Sequence, residues 1–326
     1  MSILWKASKW LIFGANRVSQ EQSALVVLTY HRVLEKKDPL VPDWPCAKEF
    51  AAELAMLSSV SKLQSLDCAL DSVINKGEPG LHSAITFDDG YRDNLEVAVP
   101  VLRNAKATAT VFVSSGYSDG QVMFNDVVRE SIRYSKKSFV ELAPLLDLRL
   151  PIETIEQKRS AIRVINQKLK YLSPVKRDQI ALDFNRALGS PPVSGLMLNE
   201  LQLAGLCRSG IEVGCHTHQH VIATTLSSQQ FYENVRTSKK ILQSIAQRDV
   251  RFFAFPNGKS TKDFSVEHAG VVKDLGFKAM FSTDQQALLA HHTNIVLPRF
   301  SPWAHSRIGR FVQIARSVKS ALKNES

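Results

Sequence analysis

Short apolar runs, rich in β-branched and aromatic residues and bounded by Gly, Pro, Asn or Asp, alternate with longer amphipathic stretches along almost the whole chain. The runs predict strands at residues 24–30, 83–87, 108–113, 211–215, 251–255, 277–281 and 294–297. The stretches between them predict helices at 47–60, 94–104, 199–209, 227–246 and 265–275. A strand–helix–strand unit in one sheet is right-handed, so its repetition winds a parallel sheet. Seven such strands suit a closed or nearly closed barrel, and 326 residues can hold one. The expected class is α/β, a distorted (β/α) barrel of about seven parallel strands over residues 21–303. One stretch, about 126–188, shows no strand pattern. It reads as a helical insertion between two strands, with Ile155, Ile162, Ile165, Leu169 and Leu172 on one face, Pro151 starting a helix and Pro174 stopping one.

The net charge of +10 would suggest nucleic acid, but it is not in the barrel. Residues 1–20 hold Lys6, Lys9 and Arg17 and no acid, a charge of +3. Residues 303–326 hold Arg307, Arg310, Arg316, Lys319 and Lys323 against Glu325, a charge of +4. Only +3 remains for 21–302, whereas a nucleic-acid enzyme would carry basic residues and stacking aromatics in a central groove. Segments 1–20 and 304–326 both interleave large apolar side chains with Lys and Arg at helical spacing. Each reads either as a helix docked on the barrel or as a surface helix on an anionic membrane. The apolar core of the amino-terminal segment, residues 10–15, falls short of a secretory h-region, and no run approaches the ~18 residues of a spanning helix. A cytoplasmic protein, peripheral at most to a membrane, is expected. Cys46, Cys68, Cys207 and Cys215 show neither CxxC spacing nor scaffold density, so free thiols are expected.

The chemistry collects behind the strands. Thr86-Phe87-Asp88-Asp89-Gly90-Tyr91 delivers two carboxylates and a turn glycine at a strand's carboxyl end, where α/β barrels place catalytic groups. Adjacent aspartates repel and are costly to desolvate, so a cation is expected among them. A helix N-cap would explain one aspartate but not the pair. Cys215-His216-Thr217-His218-Gln219-His220 follows another strand, and one helical turn would put His216 and His220 on one face, the spacing of a metal-ligating pair. His218 would point elsewhere and be structural. Asp89, His216 and His220 together make a two-histidine, one-carboxylate set with an open position. Such a set suits Zn²⁺, with Co²⁺, Ni²⁺ or Fe²⁺ as alternatives. A second aspartate beside the ligand favours hydrolysis, acting as general base toward a water on the metal. Residues 251–258 form a strand ending in Pro256-Asn257-Gly258; the N–H after the proline could donate to an oxyanion, although read alone the segment is merely a turn.

In this order TFDDG, HTxxH and the strand-Pro-x-Gly turn resemble the polysaccharide deacetylases, the NodB-type domain of carbohydrate esterase family 4. Tyr30-His31-Arg32-Val33, Phe124-Asn125-Asp126 and Leu297-Pro298-Arg299-Phe300 resemble one branch of that family, and the likeness covers roughly residues 24–303. The resemblance implies Asp88 as general base, Asp89, His216 and His220 as metal ligands, and removal of N-acetyl groups from a glycan. Two positions depart from the pattern. The terminal Leu-x-His is replaced by Leu297-Pro298-Arg299, so the general acid passes to His31, with His291 or His292 next. The aromatic after the proline is Asn257, which keeps the N–H and loses a ring that would stack on sugar. Arg299 would orient Asp88 and hold it ionised, or form a structural ion pair. Gly116-Tyr117-Ser118-Asp119-Gly120 matches GxSxG and raises a serine esterase using Ser118 as the alternative, although a nucleophile elbow needs its serine directly off a strand. A catalytically inactive glycan-binding barrel is the other alternative, against which the Asp88, Asp89, His216 and His220 set stands.

Overall fold

The strand Ser23–Tyr30 is buried along its whole length, and its side chains divide by parity. Ala24, Val26, Leu28 and Tyr30 join one core cluster, whereas Leu25 and Val27 join another. That is the period-two alternation of a strand covered on both faces. The computed structural model describes residues 22–141, 149–290, 295–301 and 307–323. Within them the strands are β1 (Ser23–Tyr30), β2 (Lys62–Leu63), β3 (Gly80–Asp89), β4 (Thr110–Val113), β5 (Phe139–Glu141), β6 (Arg149–Pro151), β7 (Glu212–Cys215), β8 (Phe252–Ala254), β9 (Ala279–Phe281), β10 (Leu288–Leu289) and β11 (Val296–Leu297).

The main sheet runs β10-β1-β3-β4-β7-β8-β9-β11, with β2 paired to β3 off this path. Every pairing from β1 to β11 is parallel, and β10 alone is antiparallel, against β1. Beyond β11, Phe300 bridges back to Leu28 of β1: its N–H donates to the Val27 carbonyl at 2.7 Å, and its carbonyl accepts from Thr29 at 2.9 Å. The expected barrel of seven parallel strands is therefore present, with its seam drawn together at Phe300. The short strands β2 and β10, two residues each, are additions that no periodicity could reveal.

Inside the barrel, Leu25, Val27, Ala84, Phe112, Phe252, Phe281 and Leu297 fill the interior, and the short helix Leu66–Leu70 contributes Leu66, Ala69 and Leu70 to the same cluster. Outside, Phe50, Leu54, Leu203, Leu206, Phe231, Val235 and Leu242 come from the covering helices Ala47–Val60, Glu200–Arg208 and Ser228–Ala246. The expected helix over 94–104 has two parts, a π-helical turn Asn94–Ala98 and an α-helix Val99–Asn104. Pro100 cannot donate the backbone bond that a continuous α-helix would require there.

The insertion needs correcting. It is not helical throughout: β5 and β6 pair antiparallel within it. Pro151 ends β6 instead of starting a helix, and Thr154 caps the helix Ile155–Leu169 through a capping box with Gln157. Pro174 opens the helix Pro174–Ala187, where a missing N–H costs nothing, so it is a start and not a stop. These helices and Phe124–Tyr134 enclose their own core of Val128, Ile132, Ile165, Leu169 and Phe184. The four cysteines are unpaired. The segment 1–20 and most of the linker into 304–326 lie outside the described residues. The helix Arg307–Lys323 buries Ile314, Val318 and Ala321 in the main core, and no described helix is long and apolar enough to cross a membrane.

Candidate active site at the barrel mouth

Along β3, Ala84 faces the barrel interior and Ile85 and Phe87 face the helices. By that alternation Asp88 points inward. There Arg299, fully buried just past β11, grips it with both arms: Nη1 to Oδ1 at 2.6 Å and Nη2 to Oδ2 at 2.9 Å. Arg299 is itself fixed, with Nε donating to the Ser282 carbonyl at 3.1 Å, Nη1 to the Thr86 hydroxyl at 3.4 Å, and its plane over the Phe112 ring. Burial pushes the Asp88 carboxyl up, and the Arg299 guanidinium more than reverses this, holding it below the ordinary carboxylate value.

Asp89 should by parity face outward. Its φ of 79°, followed by 90° at Gly90, breaks the strand and returns the carboxylate to the mouth. Its Oδ1 meets His220 Nε2 at 3.2 Å and His216 Nε2 at 3.5 Å, yet is a buried oxygen without a hydrogen-bond partner. Burial raises this carboxyl as well, and the facing His220 outweighs it, so it too is held down. His216 Nδ1 lies 2.8 Å from the Ala254 carbonyl, which fixes its proton there and leaves the Nε2 lone pair toward Asp89. Burial lowers the His216 imidazole to about 4, so it is neutral at physiological pH, as a ligand must be. The donor atoms of Asp89, His216 and His220 lie within 4.8 Å of one another. An orphaned carboxylate oxygen between two imidazole nitrogens is the donor set of a divalent metal site, and the residues fit one.

The expected helical turn under the two histidines is absent. Residues 216–220 form a loop in which Thr217 and His220 both adopt left-handed backbone, φ 64° and 49°. His218 turns away, as expected, to the Ser115 hydroxyl at 2.9 Å. His31 is exposed at the rim just past β1; since Tyr30 is in register with Phe87, it stands level with Asp88. Its carbonyl accepts from the Asn94 amide at 2.9 Å, and its neighbour Arg32 is paired to Asp93 at 2.6 Å. Asn257 lies on a tight turn with φ 57°, its side chain accepting from Lys170 of the insertion at 3.3 Å. Ser118 is buried and donates to the Ser115 carbonyl at 2.8 Å. Its hydroxyl is spent inside a 3₁₀ turn, so the elbow geometry is missing. His291 and His292 lie outside the described residues. Two participants had no motif to mark them: Ser282, which braces Arg299, and Arg177 of the insertion, whose guanidinium donates to the carbonyls of Gln219 and His220.

The polysaccharide deacetylase family model matches residues 76–142 and 197–280, which include both aspartates and both histidines. No curated protein matches the chain. Among solved structures, IcaB from Ammonifex degensii is similar at 19% identity and TM-score 0.56, over 90% of this chain and 98% of that one. The Streptococcus pyogenes deacetylase PplD, solved in complex with acetate, shares 14% identity at TM-score 0.56, over 86% and 92%. The BpsB deacetylase domain from Bordetella bronchiseptica shares 12% at TM-score 0.51, over 86% and 96%. At such identities these likenesses establish the barrel fold.

Proposed function

The chain belongs to the polysaccharide deacetylase family, and from that premise we propose that it is a metal-dependent hydrolase removing N-acetyl groups from a glycan. The observation that carries the metal dependence is the partnerless Asp89 Oδ1 facing two imidazole Nε2 atoms. Asp89, His216 and His220 would hold a divalent ion, Zn²⁺ by the chemistry of its donors with Co²⁺, Ni²⁺ or Fe²⁺ as alternatives. Such an ion, when bound, acidifies a water and polarises a carbonyl.

The remaining steps belong to this chain's side chains. Asp88, ionised and held in one orientation by Arg299, takes a proton from the attacking water as its oxygen bonds to the acetyl carbon. The N–H of Asn257, which makes no hydrogen bond among the described residues, is the candidate donor to the developing oxyanion. As the carbon–nitrogen bond breaks, the departing amine takes a proton, for which His31 at the rim is the proposed source. Acetate and a free amino sugar result. Ser118 has no role in this scheme.

Substituting the two aspartates separately tests the division of labour. Asp89→Asn is expected to lose bound metal. Asp88→Asn is expected to keep it and to lose turnover by roughly 10²–10⁴-fold, the range for general-base help. Equal metal loss in both would overturn the assignment. We also propose peripheral contact with an anionic membrane through the basic amino-terminal segment.

A further inference from the structure

We propose that Arg177 is a positioning residue for the metal site, fixing the backbone at His220 so that the imidazole stays aimed at Asp89. The proposal rests on the metal-centred reading above.

Arg177 belongs to the insertion helix Pro174–Ala187 and is 2% exposed. Its Nη1 donates to the His220 carbonyl at 3.0 Å, and its Nη2 donates to the Gln219 carbonyl at 2.5 Å and the Tyr117 hydroxyl at 3.1 Å. Its Nε pairs with Asp178 at 3.1 Å, and the guanidinium lies over the Phe124 ring. One planar group thus holds two consecutive backbone carbonyls of the loop that carries a ligand. Tyr117 closes the arrangement by donating to the same Gln219 carbonyl at 3.3 Å.

The loop needs such a hold. His216 is anchored by its own ring through Ala254, but no hydrogen bond from a described residue fixes the His220 ring in the same way. His220 also sits at φ 49°, a conformation that a non-glycine residue keeps only when its surroundings impose it. Other ties between insertion and barrel, such as Tyr91 to Asp126, Tyr171 to Asp263 and Arg159 to the Pro39 carbonyl, do not reach the ligand loop. Burying a guanidinium is costly unless its donors are satisfied, and here the ligand loop supplies two of the acceptors, beside Asp178 and Tyr117. The insertion is thereby part of the site's construction: remove its arginine and His220 loses the constraint that orients it.

The test is Co²⁺ binding, measured by competition with a chromogenic chelator, together with the melting temperature of the metal-free protein. Arg177→Met is compared with Arg177→Lys, which keeps the charge but cannot span both carbonyls. It is also compared with Ile165→Ala, which weakens the insertion's own core without touching the loop. Arg177→Met is expected to weaken Co²⁺ roughly 10–100-fold and to change the visible absorption of the bound ion, as loss of a ligand-orienting partner does. Arg177→Lys should fall between it and wild type, and serves alone if Arg177→Met does not fold. Ile165→Ala should melt lower but bind Co²⁺ as wild type does. Unchanged Co²⁺ affinity in the Arg177 variants would overturn the proposal, as would equal loss in Ile165→Ala. Wild-type protein that binds no Co²⁺ would instead overturn the metal reading, a failure visible before any substitution is made.

Discussion

Asp88 and Asp89 carry the same functional group one residue apart, and the backbone gives them different neighbours. Strand parity sends Asp88 to Arg299, and a left-handed φ sends Asp89 to the imidazoles. The pairing with Arg299 has a consequence for pH. Because the folded carboxyl of Asp88 lies below its ordinary value, its stabilising contribution is complete above about pH 4 and is lost as pH falls through the lower folded value. Wild-type activity should therefore not lose its base at mildly acid pH. In Arg299→Met, burial acts on Asp88 without the strongest charge that opposes it, so the acid limb of kcat/KM is expected to move to higher pH. The variant should also lose about 3–5 kcal/mol of stability at neutral pH, the cost of leaving a buried charge unpaired. An acid limb unmoved in the variant would show that Arg299 does not govern the ionisation of Asp88. The aspartates and histidines were legible as residues because their types and spacing have few other uses. Arg299 was legible only as a choice between orienting group and ion pair, because its partner lies across the barrel. Arg177 was not legible at all: a helix-borne arginine looks like any solvated one until the fold buries it.

At the scale of elements, the interior layer beneath the site rests on close approach between strands. A Cβ at Gly214 of β7 would stand 2.5 Å from Phe112 Cδ1 and 2.6 Å from Cε1, and that ring supports Arg299. Gly214→Ala is expected to destabilise by about 1–3 kcal/mol, read from urea denaturation; an unchanged midpoint would contradict this packing. Long amphipathic helices such as Ala47–Val60 were legible to the residue, since the apolar periodicity runs through the whole element. The hairpin β5–β6 was not, because strands of three residues show no period. Pro151 and Pro174 misled for a related reason: proline marks a boundary without saying on which side the helix lies. The HTxxH run misled in geometry though not in position. Its two imidazoles meet through a strained loop, not along a helix face, and spacing alone cannot distinguish the two.

For the whole molecule, alternation of strands and helices was enough to predict a seven-stranded parallel barrel, and closure at Phe300 completes it. The basic ends now differ from each other. The carboxyl-terminal helix commits Ile314, Val318 and Ala321 to the core, so Ile314→Ala should lower stability by about 2–5 kcal/mol. Membrane contact then rests on the amino-terminal segment. Full-length protein is expected to float with anionic vesicles at low salt and to release at high salt, where charges are screened. Deletion of residues 1–17 should abolish flotation, and full-length protein that ignores anionic vesicles would dismiss the membrane proposal. The most direct measurement for the account as a whole is acetate release from a panel of N-acetylated glycans, before and after chelation. The account predicts release that chelator abolishes, that Zn²⁺ or Co²⁺ restores, and that a serine-directed phosphonate leaves untouched. Release indifferent to chelator and stopped by the phosphonate would contradict it.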